Sequence, residues 1–81
     1  MMEENIGKIV LTIEEYRLKH GISKNKIVLG ADVQRTQLQK YCHNDVARVD
    51  LNVLARICNY LNCDISDLMH YEKTEYFKKI R

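Results

Sequence analysis

Apolar positions fall into short groups at helical spacing along the chain, each closed by a glycine or a polar turn rather than by proline, which is absent. Thr12 offers an N-cap with Glu15 three residues on, a capping-box pattern, and the helix it opens places Ile13, Tyr16 and His20 on one face before Gly21 ends it. Ser23 caps a second short helix through about Leu29, with Ile27 and Val28 facing inward. Gly30, Ala31 and Asp32 make a turn in which Asp takes the left-handed conformation that Gly more often supplies. Gln34 through Cys42 is the third helix, with Leu38 and Tyr41 inward, and His43-Asn44-Asp45 breaks it. After a crossing loop at 46–49, Asp50 caps the clearest helix, Leu51 to about Leu61, whose Leu51, Leu54, Ala55, Cys58 and Leu61 recur at helical spacing. Asp64, with Asp67 at the third position, starts a fifth short helix containing Ile65 and Leu68.

The two ends read differently. Lys8 to Leu11 is short, β-branched and apolar, which predicts a brief strand. Residues 70–81 leave two options: Tyr71 and its neighbours pair with that strand, or Tyr76, Phe77 and Ile80 form a terminal helical turn. The pattern therefore predicts an all-α domain of five helices, with a short terminal strand pair as an option. Its parts are an arm or strand at 1–11, the helical domain at 12–70 and a basic tail at 71–81. On the fourth helix, Val53, Ile57 and Tyr60 form a second apolar row. Such a helix is either central in the domain or partly covered by another chain, and part of this row, with the fifth helix or the terminal strand region, is a candidate dimer contact.

Composition narrows the function. A chain of 81 residues, 46% hydrophobic and 30% charged, folds as one domain with a core too small to enclose a roomy substrate pocket. No apolar run is long enough to cross a membrane, and MMEENIGK lacks the layout of a signal peptide, which points to the cytoplasm. Cys42, Cys58 and Cys63 are odd in number and contain no Cys-x-x-Cys pair, so neither a disulfide framework nor a metal site is expected. No nucleophile, base and oxyanion site gather in sequence, so no enzyme and no cofactor are expected.

Charge is unevenly placed. Residues 17–48 hold seven Lys or Arg against Asp32 and Asp45, while the flanking segments 1–16 and 49–75 are net acidic. The positive block contains the third helix, whose polar positions Gln34, Arg35, Thr36, Gln37, Gln39 and Lys40 include no acid. The first turn of the second helix carries Lys24 and Lys26, although the helix dipole favours acids there; a phosphate supplied from outside would suit it. Two short helices joined by a tight turn, the second with an acid-free outer face, meet the demands of a helix-turn-helix unit entering the major groove.

Three stretches, IEEYRLKHGISKNKI, DVQRTQLQKY and VDLNVLARICNYLNCDISDLM, resemble in order and spacing the lambda repressor and Cro-like (Xre-type) helix-turn-helix family, especially its small stand-alone bacterial members. The resemblance covers about two-thirds of the chain, from Ile13 to Met69. It implies a DNA-binding transcriptional regulator, usually dimeric. Arg35, Thr36, Gln39 and Lys40 then stand where members contact base edges; Lys24, Gln34 and Arg48 stand at phosphate-contacting positions. The chain departs from the pattern in four places. Val28 replaces a usual Ala, Asp32 a usual Gly and Asn44 a frequent Gly. The usual Glu partner of Arg17 is replaced by Cys42, leaving Arg17 without that ion pair and available to phosphate. The expected function is a sequence-specific regulator, acting as a repressor and homodimer on double-stranded DNA. The alternative is a protein-interaction module on the same fold, such as an antitoxin or adaptor, which the weak net charge of +2 leaves open.

Overall fold

The computed structural model describes residues 7–73. In chain order they form β1 (Lys8–Leu11), α1 (Ile13–Lys19), α2 (Lys24–Ala31), α3 (Arg35–Cys42), α4 (Leu51–Leu61), a single 3-10 turn (Ile65–Asp67) and β2 (Met69–Glu72). The fifth helix expected from the sequence is only that turn, so the described residues contain four α-helices and a two-stranded sheet. Its caps are nonetheless those the sequence indicates: Asp64 accepts from the Ser66 N–H, and Asp67 reaches back to the Asp64 N–H at 3.0 Å.

β1 and β2 pair antiparallel, Lys8 opposite Glu72 and Leu11 opposite Met69. The strand option for the chain end is therefore the one formed through Glu72, and β2 runs across the boundary expected at residue 70. The helical alternative at Tyr76, Phe77 and Ile80 lies outside the described residues. Thr12 is the joint between sheet and helices. Its N–H donates to the Leu68 carbonyl at 2.7 Å, and its hydroxyl donates to the Asp67 carbonyl at 2.9 Å. The capping box expected at Thr12 does not form, because that hydroxyl is spent on a partner far along the chain.

Ser23 caps α2, accepting from the Lys26 N–H at 3.1 Å, and Asp50 caps α4, accepting from Asn52 and Val53. Three helices end on non-glycine residues in the left-handed region: α2 at Asp32 (φ 57°), α3 just past its end at Asn44 (φ 59°) and α4 at Asn62 (φ 55°). Asn and Asp tolerate that region because their short polar side chains bond locally. Gly21 (φ 67°) follows α1 in the same conformation. Gly30, read from sequence as a turn residue, instead lies inside α2. A Cβ there would overlap the Tyr60 ring, so glycine is what lets α4 approach α2 closely.

Ile13, Ile27, Leu38, Ile57 and Leu68 are fully buried at the centre, one from each helix and one beside the 3-10 turn. On α4 the buried row is Val53, Leu54 and Ile57, while Leu51 and Ala55 are exposed; the stripe expected from Leu51 and Ala55 is displaced around the helix. Val53 and Ile57 fill this domain's own core and offer nothing to a partner chain, so of that row Tyr60, 39% exposed, is the residue left at the surface. No membrane-spanning helix occurs among the described residues.

Candidate nucleic-acid interface

α3 is amphipathic by spacing: Leu38, Tyr41 and Cys42 are buried, which turns Thr36, Gln39 and Lys40 outward and leaves Arg35 exposed on the flank nearest α2. Gln34 occupies the N-cap position with extended backbone, but its side chain does not cap, so the first N–H groups of α3 keep their open, partly positive character. Neither α2 nor α3 has an acid in its first turn.

Two side-chain bonds cross from α2 to this surface. The Arg35 guanidinium donates to Asn25 Oδ1 at 2.5 Å, and Lys24 Nζ donates to Gln39 Oε1 at 3.0 Å. Both are exposed. They hold two of the base-contacting candidates in defined positions while leaving their remaining donors free. On the other flank lies an open groove of about 920 Å³, lined by Gln34, Thr36, Gln37, Lys40, Arg48 and Arg56 among others. Arg48 thus faces the same space as Thr36 and Lys40. Gln37 does not belong to the outward set. It is half-buried and folds back toward the Tyr41 hydroxyl at 3.5 Å.

The far end of α3 is fixed by bonds to backbone. The Tyr41 hydroxyl accepts from the Asp50 N–H at 2.8 Å, tying α3 to the start of α4. Asn44 clamps β1: its Oδ1 accepts from the Leu11 N–H at 2.6 Å, and its Nδ2 donates to the Leu11 carbonyl at 2.8 Å. Arg56 of α4 donates to the Ala31 carbonyl at 3.1 Å, satisfying the end of α2. Sequence reasoning missed Arg56 and the Asn44 clamp. No local pattern signals them, since each partner is distant in sequence.

Arg17 needs a correction. It is not left without an ion pair: Nε and Nη2 each bond a Glu14 carboxylate oxygen at 2.9 Å, and Nη1 donates to the Ile22 carbonyl at 3.3 Å. Its side chain is only 15% exposed. The Arg17 bond holds the Glu14 carboxyl below its ordinary range. Burial, with Glu14 alongside, pushes the Cys42 thiol up to about 11. Burial next to Cys58 likewise pushes Cys63 up to about 11. Both stay protonated at neutral pH and behave as apolar packing groups.

Residues 12–74 match the family model described as the Cro/C1-type helix-turn-helix DNA-binding domain. The chain belongs to that family. No curated protein matches the sequence. In this Cro/C1-type domain α2 and α3 are the helix-turn-helix pair, and Asp32 is the left-handed residue at their turn. The match runs past β2, so the strand closing the sheet lies within the family's domain.

Proposed function

We propose that this Cro/C1-type domain is a cytoplasmic transcriptional repressor that binds a roughly palindromic operator as a homodimer, with α3 in the major groove. The observation that carries this reading is the outward side of α3: Arg35, Thr36, Gln39 and Lys40 are exposed together, acid-free, beside an uncapped helix N-terminus. Arg35 is the base reader, able to pair bidentately with guanine; Thr36, Gln39 and Lys40 supply further donors and acceptors to base edges. Lys24, Gln34 and Arg48 flank them as phosphate contacts. Arg17 serves by fixing α1 against the turn before α2 rather than by reaching DNA, since its donors already have partners.

Selection from a random duplex pool, followed by gel shift at graded salt, tests the reading. The expected result is an enriched inverted repeat with half-site centres about 34 Å apart. Affinity should also fall steeply with salt, as counterion release requires. No enrichment, together with no retardation of any duplex at low salt, would overturn it in favour of a protein-interaction module.

A further inference from the structure

The two bonds that reach α3 from α2 share a chemistry. In each, a cation donates to the oxygen of a side-chain amide: Arg35 to Asn25 Oδ1, and Lys24 Nζ to Gln39 Oε1. Ammonium and guanidinium groups donate and never accept, so the atom facing them is the amide oxygen and not the nitrogen. Each amide is thereby turned one way. Its acceptor is engaged by a neighbouring positive charge, and its NH2 group has no partner among the described residues. Arg35 and Lys40 carry donors only. Of the four residues proposed to read bases, Thr36 alone keeps an unengaged acceptor.

A glutamine pairs with adenine through both ends of its amide. The oxygen accepts from the adenine N6 amino group while the nitrogen donates to N7. Guanine offers two acceptors, N7 and O6, on the same edge and asks for donors alone. At Gln39 the two bases therefore make opposite demands on Lys24. Adenine needs the ammonium displaced from Oε1, or crowded by a second donor on the same oxygen. Guanine leaves the ammonium in place and gains from the positive charge beside it. In the free domain this bond is exposed and easily exchanged. Within a closed groove, with water removed, the same charge-assisted bond is worth more.

We propose that Lys24 sets the base chosen at Gln39, so that this position selects guanine over adenine within a half-site that presents acceptors to α3. The local sequence agrees, since no acid lies between Asp32 and Asp45 to supply acceptors of its own. The inference rests on the proposed operator reading and gives it a ligand class, a major-groove edge rich in N7 and O6. The ammonium has donors to spare, so holding Gln39 is compatible with a contact from Lys24 to phosphate.

Selection from a random duplex pool, run with the wild type and with variants, reads the position directly. Gln39→Ala should relax one half-site position that is guanine in the wild-type selection. Lys24→Met frees Oε1, so its selection should carry adenine there at least as often as guanine. Lys24→Arg still donates to the oxygen and should keep guanine. On paired probes differing only at that position, the wild type should favour guanine about fivefold or more, and Lys24→Met should lose that ratio. Lys24→Met should also bind every duplex more weakly, because a phosphate contact goes with the charge. A purely structural role for Lys24 would show that uniform loss alone. A base other than guanine there in the wild-type selection, no position relaxed by Gln39→Ala, or an intact guanine preference in Lys24→Met overturns the proposal and leaves the operator reading standing. Failure of the wild type to enrich any sequence sinks the operator reading, and this inference with it.

Discussion

The two ends of α3 are held by different kinds of bond. At its C-terminal end, Tyr41 and Asn44 bond to the backbone of α4 and β1, in partly buried positions. At its N-terminal end and along its outward face, Arg35 and Gln39 are held by Asn25 and Lys24, side chain to side chain and exposed. Partly buried bonds to backbone cost more to break, because the orphaned group loses its partner and regains water only in part. Exposed side-chain bonds are exchanged for water or ligand at little net cost. One end is therefore a fixed pivot, and the other is the proposed reading surface, whose exposed bonds DNA would replace.

The largest effect should come from breaking the pivot. Asn44→Ala removes both bonds to Leu11 and puts a poor residue in the left-handed region, which should cost about 2–4 kcal/mol in denaturant unfolding. Asn44→Gly removes the bonds but suits the backbone, so its loss should be about 1 kcal/mol smaller than that of Asn44→Ala. If the two variants unfold alike, the left-handed residue contributes nothing and the clamp alone fixes this end.

Changes at the reading end should leave stability almost untouched and move recognition instead. Arg35→Ala should lose about 1–3 kcal/mol on the selected operator and relax preference at one base position. Arg48→Ala should weaken operator and random duplex about equally and reduce the salt slope by about one. Equal losses from both variants on both duplexes would erase the distinction between base reading and backbone clamping. Asn25→Ala is subtler. It frees Arg35 without removing it, so the operator complex should lose about 0.5–1 kcal/mol, typical of one hydrogen bond, with random duplex unaffected. Quantitative gel shift on paired probes measures both.

The exposed side of α3 was legible in the sequence because its signal is local: helical spacing around Leu38 and Tyr41 turns Arg35, Thr36, Gln39 and Lys40 outward, with Gln37 alone of the polar positions half-buried, and acids are absent from the stretch. Ser23, Asp32, Asn44 and Asp50 were legible as caps for the same reason. The pivot was not, since its bonds join Leu11 to Asn44 across a long stretch of chain, and the Thr12 hydroxyl bond to Asp67 that displaces the expected capping box spans a longer one. α4 misled for a different reason. Helical period locates its apolar positions but not which neighbour covers them, so exposed Leu51 and buried Ile57 look equivalent until α2 is packed against Tyr60. Arg17 finds its partner one turn away at Glu14 rather than at the family's distant position, here Cys42, which is why the family pattern alone leaves it without an ion pair.

That last pair yields the smallest expected effect and ties it to the pivot. Glu14 and Arg17 sit beneath the C-terminal end of α3, where Cys42 packs beside the Glu14 carboxylate. Since Arg17 lowers the folded-state value of Glu14 from its ordinary 4.5, the unfolded chain binds a proton more readily than the folded one. The contribution is therefore fully present above the ordinary value and is lost as pH falls through the lowered folded one. The carboxylate is solvent-accessible and the pair local, so the amount should be only about 0.3–0.5 kcal/mol. Glu14→Gln should flatten the acid limb of stability by that amount, measured by urea unfolding from neutral pH downward. The same variant should leave operator preference at neutral pH unchanged, because the pair supports the fixed end of α3 and touches none of its readers. A shift in base preference would mean that the two ends are coupled, and the division between pivot and reading surface would have to be abandoned.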